Sequence, residues 1–236
     1  MAVTVSVYNT LTQQILGKTI DLTNLRIKLL SNTATFTNTN TSIEQTDNGS
    51  KATVTVTIAS PGVFTDTAHG YLAGQAVAFI TTGALPTGLT AGTFYYIISA
   101  GLTVNTYEVS ATVGGTAIVT SGTQSGVHTR YGSGSYETYG NGWIPGGPTI
   151  AAVAINAASV DSDGTSNDAI LTATNPSVTA TGGSLPSAAA YNAVLWDATS
   201  FKPLMFVSFG QAQQAGITTN FVFLINALGI LNLVAP

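Results

Sequence analysis

Two histidines, one acidic run and a scatter of aromatic rings are the residues of this sequence whose types suit chemistry. His69 and His128 are its only histidines. A metal or general-base role needs convergent partners, and neither ring has a carboxylate or second imidazole on one face of its own element. His69 lies in the turn Ala68-His69-Gly70, so a structural role is the simpler reading for both. Asp161, Asp163 and Asp168, in Asp161-Ser-Asp-Gly-Thr-Ser-Asn-Asp168, offer the closely spaced oxygens that a hard cation such as Ca²⁺ takes. The run departs from an EF-hand loop, because Gly164 comes early and the bidentate Glu is missing. Asp, Ser, Gly and Asn also build ordinary turns by side-chain capping, so no metal is expected.

Nucleophilic catalysis finds no support. There is no G-x-S-x-G elbow, and Gly132-Ser-Gly-Ser135 reads as a linker. The glycines from Gly140 to Gly147 precede no helix, so they build no phosphate cradle. Tyr131, Tyr136, Tyr139, Trp143 and the pair Tyr95-Tyr96 could stack a sugar. Rings at strand ends and Gly-rich turns serve more often as core lids or protein-interface anchors. No catalytic residue is assigned, no enzyme is expected, and no cofactor is called for.

Composition narrows the class. Charged residues make up 7% of the chain, against about 25% in ordinary globular proteins. Thr, Ser, Asn, Ala and Gly stand where Lys and Glu would be, which suits a β-protein that buries much of itself against neighbours. A net charge of −4 gives no basic field for nucleic acid. The absence of cysteine excludes disulfides and thiolate sites. No signal segment and no stretch of about 20 apolar residues is visible, so a soluble protein made in the cytoplasm and no membrane partner are expected.

The positioning elements are short strands. Val3, Val5 and Val7 alternate with Thr4 and Ser6, predicting a half-buried strand. Tyr8, Leu11 and Ile15 fall at helical spacing, with Gly17 as a possible cap. Arg26–Leu30 is strand-like. Ser31–Ser50 is polar and reads as a long loop or arm ordered by contact with a neighbour. From Thr53–Ile58 through Val77–Ile80, Thr93–Ile98, Thr106–Ser110 and Ala117–Val119, strands alternate with Gly or Pro turns, as in a small barrel or sandwich. Thr149–Ile155 and Asp168–Ala173 are further strands. Tyr191–Trp196, Pro203–Phe209, Asn220–Asn226 and Gly229–Val234 read as an antiparallel meander that closes the core, with Val194, Trp196, Phe206, Phe221, Phe223 and Ile225 as its bulk.

Val63-Phe-Thr-Asp-Thr-Ala-His-Gly70, Thr82-Gly-Ala-Leu-Pro-Thr-Gly-Leu89, Ala91-Gly-Thr-Phe-Tyr-Tyr-Ile-Ile98 and Thr106-Tyr-Glu-Val-Ser110 resemble a small β module of tailed-phage virion proteins. That module is labelled by similarity to the FCCH half-domain of ubiquitin-activating enzymes, a β-barrel accessory without adenylation chemistry. It covers about a third of the chain. The flanks, with Tyr139-Gly-Asn-Gly-Trp-Ile-Pro-Gly-Gly-Pro148, Tyr191-Asn-Ala-Val-Leu-Trp-Asp197, Lys202-Pro-Leu204, Phe209-Gly210 and Gly229-Ile-Leu-Asn-Leu233, resemble small phage proteins that decorate capsids.

The expected architecture is all-β, with a discontinuous sandwich or barrel frame, residues 1–51 and 133–236, and a small β-barrel module, residues 52–132, inserted in one of its loops. Insertion at a polar loop is thermodynamically cheap. The resemblance implies a capsid decoration or cement protein of a tailed-phage virion. It would bind across subunits of the major capsid protein, touch other virion proteins, and self-associate, for instance as a trimer about a local three-fold axis. Interface candidates are Val3, Val5, Phe36, Ile43 and Trp143. The alternatives are a tail, collar or head–tail component, and a carbohydrate-binding adhesin on the virion surface.

Overall fold

The structure, a computed structural model, describes residues 3–157, 169–223 and 231–233. The chain is all-β, with one α-helix among the described residues. In chain order the elements are β1 (Thr4–Val7), α1 (Asn9–Gly17), β2 (Leu25–Leu30), β3 (Ser50–Val56), β4 (Phe64–Thr65), β5 (Ala76–Thr81), β6 (Phe94–Ile97), β7 (Thr106–Tyr107), β8 (Val109–Ser110) and β9 (His128–Gly132). They continue with β10 (Ala154–Ala157), β11 (Ala169–Thr172), β12 (Ser177–Thr179), β13 (Leu185–Asp197), β14 (Lys202–Ala215), β15 (Asn220–Val222) and β16 (Leu231–Leu233).

Two compact units result: Met1–Thr41 with Thr138–Pro236, and Ser42–Glu137. The breaks fall after 41 and 137, where 51 and 132 were expected. The cause is a polar clasp. Ser42 opens a short 3₁₀ turn, Ile43–Thr46, with a capping box. Asp47 behind it accepts from the amides of Gly49 and Gly134 at 3.1 and 3.0 Å, and its carbonyl accepts from Tyr136 N. Both ends of the insert are thereby tied to each other.

In the frame, four strands run in the order β1-β14-β13-β2, all antiparallel. β13 lies between two neighbours, and its run Ala193-Val-Leu-Trp196 is buried on both faces, at 3% exposure or less. One face carries Leu25, Ile27, Leu29, Ala193, Leu195 and Met205, packed with Leu11, Trp143, Ile150 and Phe221. Fully burying each such side chain contributes roughly 1.5–3 kcal/mol. On the other face Phe36 packs between Tyr8 and Phe206, at centroid distances of 4.9 and 5.9 Å. The smaller frame sheets are β10-β11-β16 and β12-β15.

The tight β13–β14 turn is organised by Asp197. Its carboxylate accepts from the amides of Thr199 and Ser200 and from Ser200 Oγ, and it also receives Gln14 Nε2 from α1. The helix follows the expected spacing, yet its left-handed cap is Lys18, φ 52°, rather than Gly17. Gly147 is a position where only glycine fits, with φ +77° and an added Cβ 1.6 Å from Ile27 O. That approach lets residues 147–150 run along β2, where Ile150 N donates to Leu25 O and Arg26 bridges Thr149.

The meander forms only in part. β13 and β14 are a hairpin, but β14 continues through Gly210 to Ala215 instead of turning there. β15 then pairs with β12, and β16 with β11, so the final segments leave the hairpin's sheet.

The insert is a seven-stranded sheet, β7-β4-β3-β9-β5-β6-β8. β7 pairs with β4 and β8 with β6, while only Glu108 separates β7 from β8. One stretch therefore serves both edges, and the sheet closes to a near-barrel. Phe64, Phe79 and Tyr107 stack inside, with Phe64 centroids 4.3 and 5.3 Å from the other two. β9, unanticipated, lies in the middle between β3 and β5. The expected strand Ala117–Val119 amounts to a bridge, Ser110 with Ala117.

Candidate functional site

A buried ion pair with its hydrogen-bond partners lies inside the insert and is closed. Alternation along β9 puts His128 and Arg130 on the barrel's inner face, opposite Val54, Phe79 and Thr81. Arg130 Nε donates to Asp66 Oδ2 at 2.8 Å, and Arg130 Nη1 donates to Tyr71 Oη at 2.6 Å and Ser50 Oγ at 2.5 Å. The guanidinium also lies 4.9 Å from the Tyr71 ring centroid. The Tyr71 phenol reaches it by crossing Gly132, where a Cβ would sit 1.9 Å from Tyr71 Oη. His69 Nδ1 accepts from Tyr71 N at 2.9 Å, and its ring packs edge-on to Tyr107.

Electrostatics make this a pin rather than a reactive centre. Burial alone would lower the Arg130 pKa, but the Asp66 hydrogen bond, with the neighbouring Tyr71, Asp66 and Tyr107, raises it above its ordinary value. Burial pushes Tyr71 up and Tyr107 well beyond the usual phenol range. The cation keeps its proton, both phenols keep theirs, and no poised acid, base or nucleophile results.

His128 is likewise engaged. Its Nε2 faces Gln124 Oε1 and its Nδ1 faces Thr81 Oγ1, both at 2.9 Å, and burial lowers its pKa. Gln124 in turn donates to Val56 O. Val56, Gln124 and His128 border a shallow groove of about 330 Å³ between β3 and the chain leading into β9. Among the described residues no group of three or more His, Asp or Glu could hold a metal. Asp161, Asp163 and Asp168 lie outside the described residues.

The interface candidates divide. Val3 and Val5 are exposed, at 61% and 54%. Trp143 and Ile43 are corrected: each is 1% exposed, and Trp143 packs edge-on against Phe221 in the frame core. Phe36 is half-buried in its aromatic stack. The arm is corrected with it, since residues 31–38 fold onto the chain's own frame. Asn192 Nδ2 donates to Ser31 O and Ala34 O, and Asn9 N to Asn38 O. Of the rings that could stack a sugar, Tyr95, Tyr131 and Trp143 are buried.

The open feature is the β1 edge. β2, at the other end of the frame sheet, is covered by Thr138 and residues 149–150. β1 has β14 on one side and no described strand on the other. Val7 is 41% exposed beside Val3 and Val5, although register places Val5 and Val7 on the face of Val207 and Met205, the frame's apolar face. The expectation of a half-buried strand gives way to an exposed one. Val3–Val7 carries no charge or proline, the devices that usually blunt a free strand edge. Beside it, a cleft of about 410 Å³ is lined by Asn32, Phe36, Tyr191, Phe206 and Ser208, without a charge. Searches against family models, curated proteins and solved structures give no match.

Proposed function

We propose that this chain is a structural, non-enzymatic component of a tailed-phage virion, a decoration or cement protein that attaches across subunits of the major capsid protein. The observation that supports it best is the β1 edge: an uncharged, exposed strand continuing the apolar face of the frame sheet. Such an edge binds by adding a strand and burying valines rather than by ion pairs. The closed Arg130–Asp66 cluster and the capped hairpin supply rigidity, which a cement protein needs to resist pressure from within. The phage assignment itself comes from the motif strings of the insert and flanks.

Cryo-electron microscopy of the virion tests this directly. Density for the chain is expected over the outer shell, in many copies. Density confined to the neck or tail, or no particle association, overturns it. Val5→Lys is expected to release the protein from particles while leaving its circular dichroism unchanged.

A further inference from the structure

We infer that the β1 edge pairs with the β1 edge of a second copy of this chain, about a two-fold axis at Val5. This rests on the reading of β1 as an assembly edge and names its partner. Three observations converge. First, Tyr8 N donates to Leu204 O, one step beyond the registered pair Val7 with Met205. In an antiparallel ladder hydrogen-bonded pairs alternate, so Ser6 and Thr4 exchange bonds with β14 while Val3, Val5 and Val7 aim their N–H and C=O groups at the open edge.

Second, Val3-Thr-Val-Ser-Val7 reads the same in both directions: apolar, hydroxyl, apolar, hydroxyl, apolar. An antiparallel copy centred on Val5 sets Val5 against Val5, Val3 against Val7 and Thr4 against Ser6. Every outward backbone group then meets an outward group, and valine meets valine on one face. Third, the strand carries no charge, so the self-pairing brings no like charges together. The result is a continuous sheet running from β2 of one copy to β2 of the other.

A two-fold contact of this kind is isologous and closed, so it makes dimers and not the three-fold ring otherwise expected of a decoration protein. One strand pair buries less than the roughly 1,200–2,000 Å² of stable interfaces, so the dimer depends on concentration.

The test uses the full chain. Sedimentation equilibrium from low-micromolar to millimolar protein is expected to show a monomer–dimer equilibrium. Val5→Lys, which sets two ammonium groups across the axis, is expected to weaken it at least about tenfold. The sequence lacks cysteine, so Val5→Cys introduces a single thiol. Cα atoms of a hydrogen-bonded antiparallel pair lie about 5.5 Å apart, inside the disulfide range of about 4.4–6.8 Å. Mild oxidation should therefore link Val5→Cys into a covalent dimer faster than Leu16→Cys on α1, where the side chain is 79% exposed. The inference is overturned if the native chain stays monomeric throughout, if it forms trimers, or if the two cysteine variants crosslink at the same rate. Should the chain stay monomeric while Val5→Lys still abolishes particle binding, β1 serves the capsid instead. The proposed function then stands and the dimer falls. Particle binding that survives Val5→Lys, with dimers intact in the native chain, keeps the dimer and moves the capsid contact off β1.

Discussion

Arg130 and Asp66 form an ion pair at 2.8 Å with side chains only 4% and 3% exposed. Removing one partner from such a pair strands the other charge in the barrel. Asp66→Ala is expected to destabilise the protein by about 3–5 kcal/mol. The double variant Asp66→Leu with Arg130→Met should lose less than Asp66→Ala alone. Urea denaturation provides the comparison, and hydrogen exchange at β9 amides localises it. A double variant that loses as much as the two single variants added together would show that the pair is not coupled.

His128 predicts an acid limb in stability. Its folded pKa lies below the unfolded value of about 6.5, because burial disfavours the imidazolium. Unfolded chains then bind the proton more readily. The stabilisation is fully present above about pH 6.5 and is lost as pH falls through the lower folded value. His128→Gln should flatten this part of the profile between about pH 7.5 and 5. An unchanged slope would assign it to carboxylates.

Asp197 predicts a frame-specific loss. It accepts two turn amides and the side chains of Gln14 and Ser200, from a fully buried position. Asp197→Ala should cost about 2 kcal/mol or more by leaving these donors unpaired. Hydrogen exchange should quicken at Thr199 and Ser200 before it does at β9.

Gly147→Ala should be worse than an ordinary glycine substitution. A left-handed alanine costs about 1–3 kcal/mol, and the methyl would also collide with Ile27 O. A melting temperature unchanged from the native chain would refute the close approach.

The sequence carried the β class plainly. Thr53–Ile58 alternates, and β3 forms there; Tyr191–Trp196 and Pro203–Phe209 lie inside β13 and β14. β9 escaped notice because its inward positions are His128, Arg130 and Gly132, which break the apolar alternation that marks a strand. The signal available was a charge amid β-like residues in a chain holding only six Lys and Arg. Gly210 to Gly216 has turn chemistry, but pairing of Gln213 with Ala190 and of Ala215 with Leu185 overrides it through bulges. Trp143 and Ile43 looked like anchors because composition cannot tell which aromatic or aliphatic residue closes a core. The clasp at Asp47 depends on amides almost ninety residues away, which no local pattern records.

β9 is the last strand of the insert to leave the ribosome, yet it occupies the middle of its sheet, between β3 and β5. The growing chain can therefore hold no more than separate fragments of the barrel until residue 132 has emerged. The frame waits longer still, because β1 and β2 gain their partners only when the β13–β14 hairpin is made. For most of translation the valines of β1 have nothing to pair with. Synthesis order thus makes this strand a point of vulnerability in crowded cells, and slowing translation after residue 132, which lengthens its wait for β14, should lower the soluble yield.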